Sequence, residues 1–282
     1  MATEEAKTEN SLSGYECELA FVQEIADRSE ALALKYFLGA AQMELVSKED
    51  GSPVTRADKE VERLIRDELA SRFPADQILG EEESSDSDAD DTDAVSSKAP
   101  HNQGGRKWIV DPIDGTFNFA RGIPIWSTLI ALEDKGEIVL GLVNAPAMNE
   151  RFHAVRGQGA FKNGKRIFVS AVDKIEESLF NFGGPNRIVK KGLWPALTRV
   201  VEVSYRQRGF GDYLGFSLVF EGKAEAMLEV DVKPWDLAPM KIIVEEAGGV
   251  FTDLAGGASV YNGSCLITNK SLALQYKKFF ID

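Results

Sequence analysis

Two carboxylates three residues apart, at the end of an apolar run, can converge on one cation. Such a pair occurs in Trp108-Ile109-Val110-Asp111-Pro112-Ile113-Asp114-Gly115-Thr116, where a strand ends and a turn begins. Pro112 fixes one backbone angle, and the alternating geometry projects Asp111 and Asp114 toward one point with the Ile113 carbonyl facing the same way. Oxygen donors of that kind suit Mg2+. Gly115 and Thr116 then open a turn whose free N–H groups point outward, an arrangement that receives a phosphate. The same residues also make a Pro-containing turn in which Asp114 caps a helical turn.

Three other segments carry acids at element ends. Glu81 and Glu82 follow Gly80 after the apolar Ile78 and Leu79, as an acidic turn or as a solvated charge run. Asp236 follows Trp235 and precedes a helical pattern closing on Glu246-Ala247-Gly248-Gly249, which also reads as an N-cap with a glycine C-cap. Asp58 lies three residues after Thr55, the spacing of a capping box.

The elements that must position these residues follow from hydrophobic periodicity. Helical patterns cover 17–37 and 57–73, the second with Val61, Leu64, Ile65 and Leu69 on one face. Strand patterns then dominate at 107–111, 126–132, 138–145, 151–155 and 160–161, separated by Gly, Pro, Asn and Asp turns. A helix at 213–220, a strand at 226–230, a helix at 238–247 with Pro239 near its start, and strands around Val250 and 265–268 complete the pattern. Residues 84–105 are rich in Ser, Asp, Ala and Gly and read as an acidic flexible loop; 1–13 read as a polar tail. The expected organisation is one domain over 1–282.

Composition excludes several classes. The chain has 282 residues, 44% hydrophobic, with no apolar run near the roughly 18 residues of a membrane span. Lys and Arg number 32 against 45 Asp and Glu, and the net charge of −13 would repel a nucleic-acid backbone. A phosphodiesterase or nuclease is therefore disfavoured. Cys17 and Cys265 are too few for a disulfide framework, and neither has a nucleophile context. His101 and His153 lie outside the acidic motifs. The polar, acidic N-terminus has neither a secretion signal nor a transit peptide, so a cytoplasmic location is expected.

Taken together, Gly80-Glu81-Glu82, Trp108 through Phe119, and Trp235-Asp236-Leu237-Ala238 with Glu246-Ala247-Gly248-Gly249 resemble the inositol monophosphatase family of Mg2+-dependent phosphomonoesterases. The resemblance implies an α/β fold, a layered αβαβα sandwich, and a homodimer. It implies that Glu81, Asp111, the Ile113 carbonyl, Asp114 and Asp236 hold two or three Mg2+ ions, with Glu82 as a supporting acid. It further implies that Asp58 and Thr116 orient an attacking water while the Gly115 and Thr116 N–H groups hold the phosphate. A metal-binding regulator without turnover would require damage to this set, and Asp58 and Thr116 are both present.

The alcohol of the ester is set outside this core. The stretch Arg121-Gly122-Ile123-Pro124-Ile125-Trp126-Ser127-Thr128-Leu129-Ile130-Ala131-Leu132 and the turn Gly209-Phe210-Gly211-Asp212-Tyr213 look like the histidinol-phosphatase branch. By that resemblance Asp212, with Glu229 nearby, suits a substrate bearing an ammonium group, L-histidinol phosphate; Asp212 also reads as an N-cap for the following helix. Asn118 and Phe119 look like the inositol branch, which keeps inositol-1-phosphate or a broader range of sugar and polyol phosphates as the alternative.

Overall fold

The computed structural model describes residues 14–39, 46–47, 53–82 and 105–281. The expected tail 1–13, nearly all of the loop 84–105, and His101 lie outside the described residues.

The first helices form where periodicity places them. Helix α1 (Glu16–Gly39) is followed by the short strands β1 (Val46–Ser47) and β2 (Pro53–Val54) and then by α2 (Arg56–Arg72). Strands β3 (Gln77–Gly80), β4 (Arg106–Asp114), β5 (Ser127–Asp134), β6 (Glu137–Ala145), β7 (Glu150–Val155), β8 (Gly159–Lys162) and β9 (Lys165–Ile167) lie side by side in chain order. The β3–β4 pair is parallel and the others antiparallel. The short helix α3 (Thr116–Ala120) interrupts this run after β4.

The second sheet comes from the last third of the chain. It contains β10 (Leu179–Phe182), β11 (Arg206–Arg208), β12 (Ala226–Val230), β13 (Val250–Thr252) and β14 (Ser264–Thr268) in the order β11-β10-β12-β14-β13. Helices α4 (Pro185–Lys190), α5 (Trp194–Val203), α6 (Asp212–Phe220), α7 (Pro234–Glu246) and α8 (Ala273–Phe280) connect or follow these strands.

The central strands of both sheets are buried on both faces, with successive side chains alternating between them, and this produces five layers. In β4, Trp108 and Val110 pack with Val22, Ile25, Val61 and Ile65 of α1 and α2, while Ile109 between them packs on the opposite face. That face meets Tyr213 and Phe216 of α6 and Leu237, Ile242 and Ile243 of α7. Met227 and Ile267 of the smaller sheet close the same core from the other side. The outer face of the smaller sheet, with Ala226, Leu228 and Leu266, packs against Ile188, Leu197, Val200 and Tyr276 of α4, α5 and α8. The architecture is the αβαβα sandwich.

Helix α7 differs from the sequence expectation. It starts at Pro234, so Pro239 stands in its interior rather than near its start. The position tolerates a missing N–H because the helix lies between two sheets that fix it: every residue from Leu237 through Val244 is buried. A Cβ added at Gly141 of β6 would meet the Pro239 Cα at 2.9 Å, so the sheet touches the helix backbone at the proline.

Candidate active site

In a regular strand, residues three apart face opposite sides. β4 avoids this with a bulge: Asp111 pairs with Leu129 and Asp114 with Ser127, three residues on one strand against two on the other. The extra residue brings both carboxylates to one side. The Ile113 N–H donates to Asp111 Oδ1 at 2.9 Å and stabilises the kink. β4 thus continues through Asp114, where the sequence reading placed a strand end and a turn.

Four helix starts face this bulge, and first-turn N–H groups favour anionic groups. At α2, Asp58 Oδ2 accepts from the Thr55 N–H at 2.9 Å and from Thr55 Oγ1, which forms the expected capping box. Asp58 Oδ1 accepts from Thr116 Oγ1 at 3.0 Å, so this buried acid bridges α2 and α3. Thr116 Oγ1 also lies 3.1 Å from the Ile113 carbonyl, and its single proton can serve only one of these acceptors at a time. At α6, the Tyr213 N–H donates to Asp114 Oδ2 at 2.9 Å. At α7, the Lys233 N–H donates to Asp236 Oδ2 at 2.8 Å. Asp236 therefore occupies the first turn of α7 instead of preceding the helix as its cap.

One carboxylate oxygen from each of Asp111, Asp114 and Asp236 lies within 4.8 Å of the others. Among the described residues these three acids have no Lys or Arg partner; Arg187, whose charge acts on Asp236, pairs with Glu229 at 2.9 Å. The acids are consequently hard to ionise together. Burial, then the charges of Glu81 and Asp114, raise Asp111 well above the usual carboxylate range. Asp114 is raised by burial and by Asp212 and Asp236. Burial pushes Asp236 up to about 7 and Asp58 up to about 6. A divalent cation among these oxygens would relieve the repulsion, and an all-oxygen donor set fits a hard ion.

Glu81, in the helical turn after β3, is outside the three-acid group, yet its charge acts on Asp58, Asp111, Asp114 and Asp236. Glu82 is buried, and its N–H donates to Glu62 Oε2 at 2.7 Å. Glu62 also accepts from Arg66 at 2.7 Å. Gly80 leaves the room for this: a Cβ there would sit 2.2 Å from Glu62 Oε1. Sequence reasoning missed Glu62 and Arg66, although Asp58, Glu62 and Arg66 recur at four-residue spacing on one face of α2.

Gly115 precedes α3 with φ of 84°, and a Cβ there would meet the Ile125 carbonyl at 2.9 Å. The same Cβ would be 3.5 Å from the Asp212 carboxylate, which places Asp212 beside the Gly115-Thr116 turn. Asp212 does not cap α6: Gly211 is the N-cap, and Asp212 is the first helical residue with a positive φ of 52°. Its Oδ2 accepts from Asn118 Nδ2 at 2.7 Å, and burial raises its carboxyl. Glu229, on β12, is buried and lifted to about 8, chiefly by that burial, with Arg187 opposing and Asp212 and Asp236 adding to the rise. Asn118 and Arg187 had no assigned role from sequence, because both partnerships are long-range.

Tyr213 and Trp126 are fully buried core residues. His153 stacks on Phe161 of the neighbouring strand, and Cys265 is buried in β14. No helix among the described residues is long and apolar enough to cross a membrane.

Comparison with known proteins agrees with this geometry. The sequence profile of the inositol monophosphatase family matches residues 15–279. A histidinol-phosphatase of Mycobacterium tuberculosis is 38% identical over 250 residues, covering 87% of this chain and 90% of its own. A fructose-1,6-bisphosphatase/inositol-1-monophosphatase of Thermotoga maritima is 35% identical over 218 residues, covering 77% of each. Among solved structures, the extragenic suppressor protein suhB of Bartonella henselae superposes with a TM-score of 0.80 at 27% identity, covering 94% of this chain and 98% of that one. A bulged strand carrying two acids, met by a third acid from a distant helix start and embedded in this five-layer fold, therefore comes with matching relatives along almost the whole chain: it belongs to the inositol monophosphatase family and is a phosphoric monoester hydrolase.

Proposed function

We propose that the chain hydrolyses L-histidinol phosphate to L-histidinol and inorganic phosphate, as a single phosphatase domain that works as a cytoplasmic homodimer. The observation that carries this reading is the pair of acids beside the phosphate-binding turn. Asp212 stands against Gly115, and Glu229 lies within reach of its charge. Two carboxylates there suit an alcohol bearing an ammonium group and give a neutral polyol less. The similarity to a histidinol-phosphatase over 87% of the chain supports the same substrate.

Mg2+ would be held by Glu81, Asp111, the Ile113 carbonyl, Asp114 and Asp236, with Glu82 supporting the Glu81 turn. When bound, the cation supplies positive charge that lowers the pKa of a nearby water and offsets charge on the phosphoryl oxygens. The remaining work falls to the chain. Thr116 donates to Asp58, which leaves its oxygen lone pairs to accept from the attacking water, and Asp58 takes up the proton released. An acid raised to about 6 by burial suits that exchange near neutral pH. The N–H groups of Gly115 and Thr116 receive the phosphate without rearranging, because the positive φ of Gly115 already sets the turn.

Phosphate release from L-histidinol phosphate and inositol-1-phosphate, measured side by side with Mg2+, tests the assignment. A kcat/KM at least about tenfold higher for the histidinol ester is expected; a preference for the inositol ester overturns it in favour of the polyol alternative.

A further inference from the structure

Arg187, on α4, lies outside every motif that led to the active site. Its Nη2 donates to Glu229 Oε1 at 2.9 Å, and its Nη1 lies 3.4 Å from the Asp231 carbonyl. Glu229 is 3% exposed, and among the described residues its second oxygen, Oε2, has no hydrogen-bond partner. A buried acceptor of that kind is costly to leave unmade. The chain has cleared space for this arrangement. A Cβ at Gly183 would fall 1.6 Å from Glu229 Oε2, and a Cβ at Gly184 would fall 2.3 Å from Arg187 Nε. The two consecutive glycines that join β10 to α4 are thus what admit the ion pair.

The neighbouring acid is held in a parallel way. Asn118 donates to Asp212 Oδ2, as Arg187 donates to Glu229 Oε1, so each carboxylate has one oxygen anchored and one without a partner among the described residues. An ammonium group carries the N–H donors that both of these free acceptor oxygens call for.

We propose that Arg187 is a specificity-determining residue: by anchoring Glu229 through Oε1 it presents Oε2 as a fixed acceptor and selects phosphate esters of monocationic amino alcohols over those of neutral alcohols. It acts through Glu229 and is a positioning residue. The inference rests on the substrate reading above and adds the device that enforces it. Arg187 opposes the upward push of burial on Glu229; without it the carboxyl loses its anchor and holds a proton in a larger fraction of molecules, offering an O–H where an acceptor is needed.

The test compares the full chain with Arg187→Met, Arg187→Lys and Gly183→Ala in saturating Mg2+, with L-histidinol phosphate and glycerol 2-phosphate as substrates. Arg187→Met should raise KM for the histidinol ester about tenfold with kcat nearly unchanged, while kcat/KM for glycerol 2-phosphate moves less than about twofold. Arg187→Lys should restore most of the loss, and Gly183→Ala, which displaces Oε2, should reproduce it. Equal losses on both substrates, an unchanged preference in Arg187→Met or in a soluble Gly183→Ala protein, or an Arg187→Lys protein as impaired as Arg187→Met, would overturn the role of Arg187. If instead the unaltered chain prefers the neutral ester, the substrate reading itself has failed, and the two failures are told apart by that control.

Discussion

The Glu82 N–H donates to Glu62 Oε2 across 2.7 Å, and this bond fastens the acidic turn after β3 to the middle of α2. Glu62 is 1% exposed and holds Arg66 with its other oxygen. Glu62→Ala should therefore remove a buried anchor of the turn and one partner of Arg66, costing about 2 kcal/mol in chemical denaturation. It should also weaken Mg2+ binding in calorimetry, because Glu81 rides on the same turn. Unchanged stability and unchanged binding would show that the turn holds itself.

Substituting a member of the acid cluster separates activity from stability. Asp111→Asn and Asp236→Asn should each reduce turnover by about 100-fold or more. Each should melt at least as high as the unaltered chain in chelator, since one of several mutually repelling carboxylates is gone. Near-normal turnover in both variants would refute the site.

The metal-free protein should show an inverted acid response. Asp58 and Asp236 titrate at about 6 and about 7 in the fold against an ordinary 3.8, and Asp111 and Asp114 shift the same way. Raised carboxylates keep protons that the unfolded chain has already released, so their contribution is full below the unfolded value and is lost as the pH climbs through the folded values. In chelator, Tm should fall between about pH 4 and about pH 7. Excess Mg2+ should raise Tm most at the upper end, by mass action on the ionised acids. A flat profile, or no shift with Mg2+, would contradict the crowding of these acids.

At Asp212 the expected loss is selective. Asp212→Asn keeps a side chain that tolerates a positive φ and removes the charge. It should lower kcat/KM for L-histidinol phosphate about tenfold and leave a neutral ester nearly untouched, as two-substrate kinetics would report.

Gly115 combines a positive φ of 84° with a close approach to the Ile125 carbonyl. Gly115→Ala should cost about 1 to 2 kcal/mol of stability and turn away the N–H groups proposed to receive the phosphate. Product inhibition by inorganic phosphate should weaken together with activity.

The parts legible in the sequence were those governed by local pattern. The reading of 57–73 falls within a residue of α2, whose buried positions recur at helical spacing, and 226–230 matches β12, a short and mostly apolar run buried throughout. The start of α7 was placed at Ala238, which put Pro239 in the first turn, whereas the helix begins at Pro234 and packing between two sheets carries it through Pro239. The segments β9 through β11 and helix α8 were not recognised: the strands are only three or four residues long, too short for a period to show. At the site, chemical type and order pointed to Asp111, Asp114 and Asp236, which the fold brings together. The partners that orient acids are another matter. Asn118 reaches Asp212 across 94 residues of chain, and Arg187 reaches Glu229 across 42; neither distance leaves a mark in a local window.

The burial of α7 between the two sheets has a consequence for assembly. Asp58 enters from near the beginning of the chain and Asp236 from near its end, and the latter is held in place only by a helix clamped on both sides. No early fragment of the polypeptide can display the complete set of acids. Cation affinity therefore registers the finished molecule, and a partially folded or truncated chain would be silent to magnesium long before it lost its secondary structure.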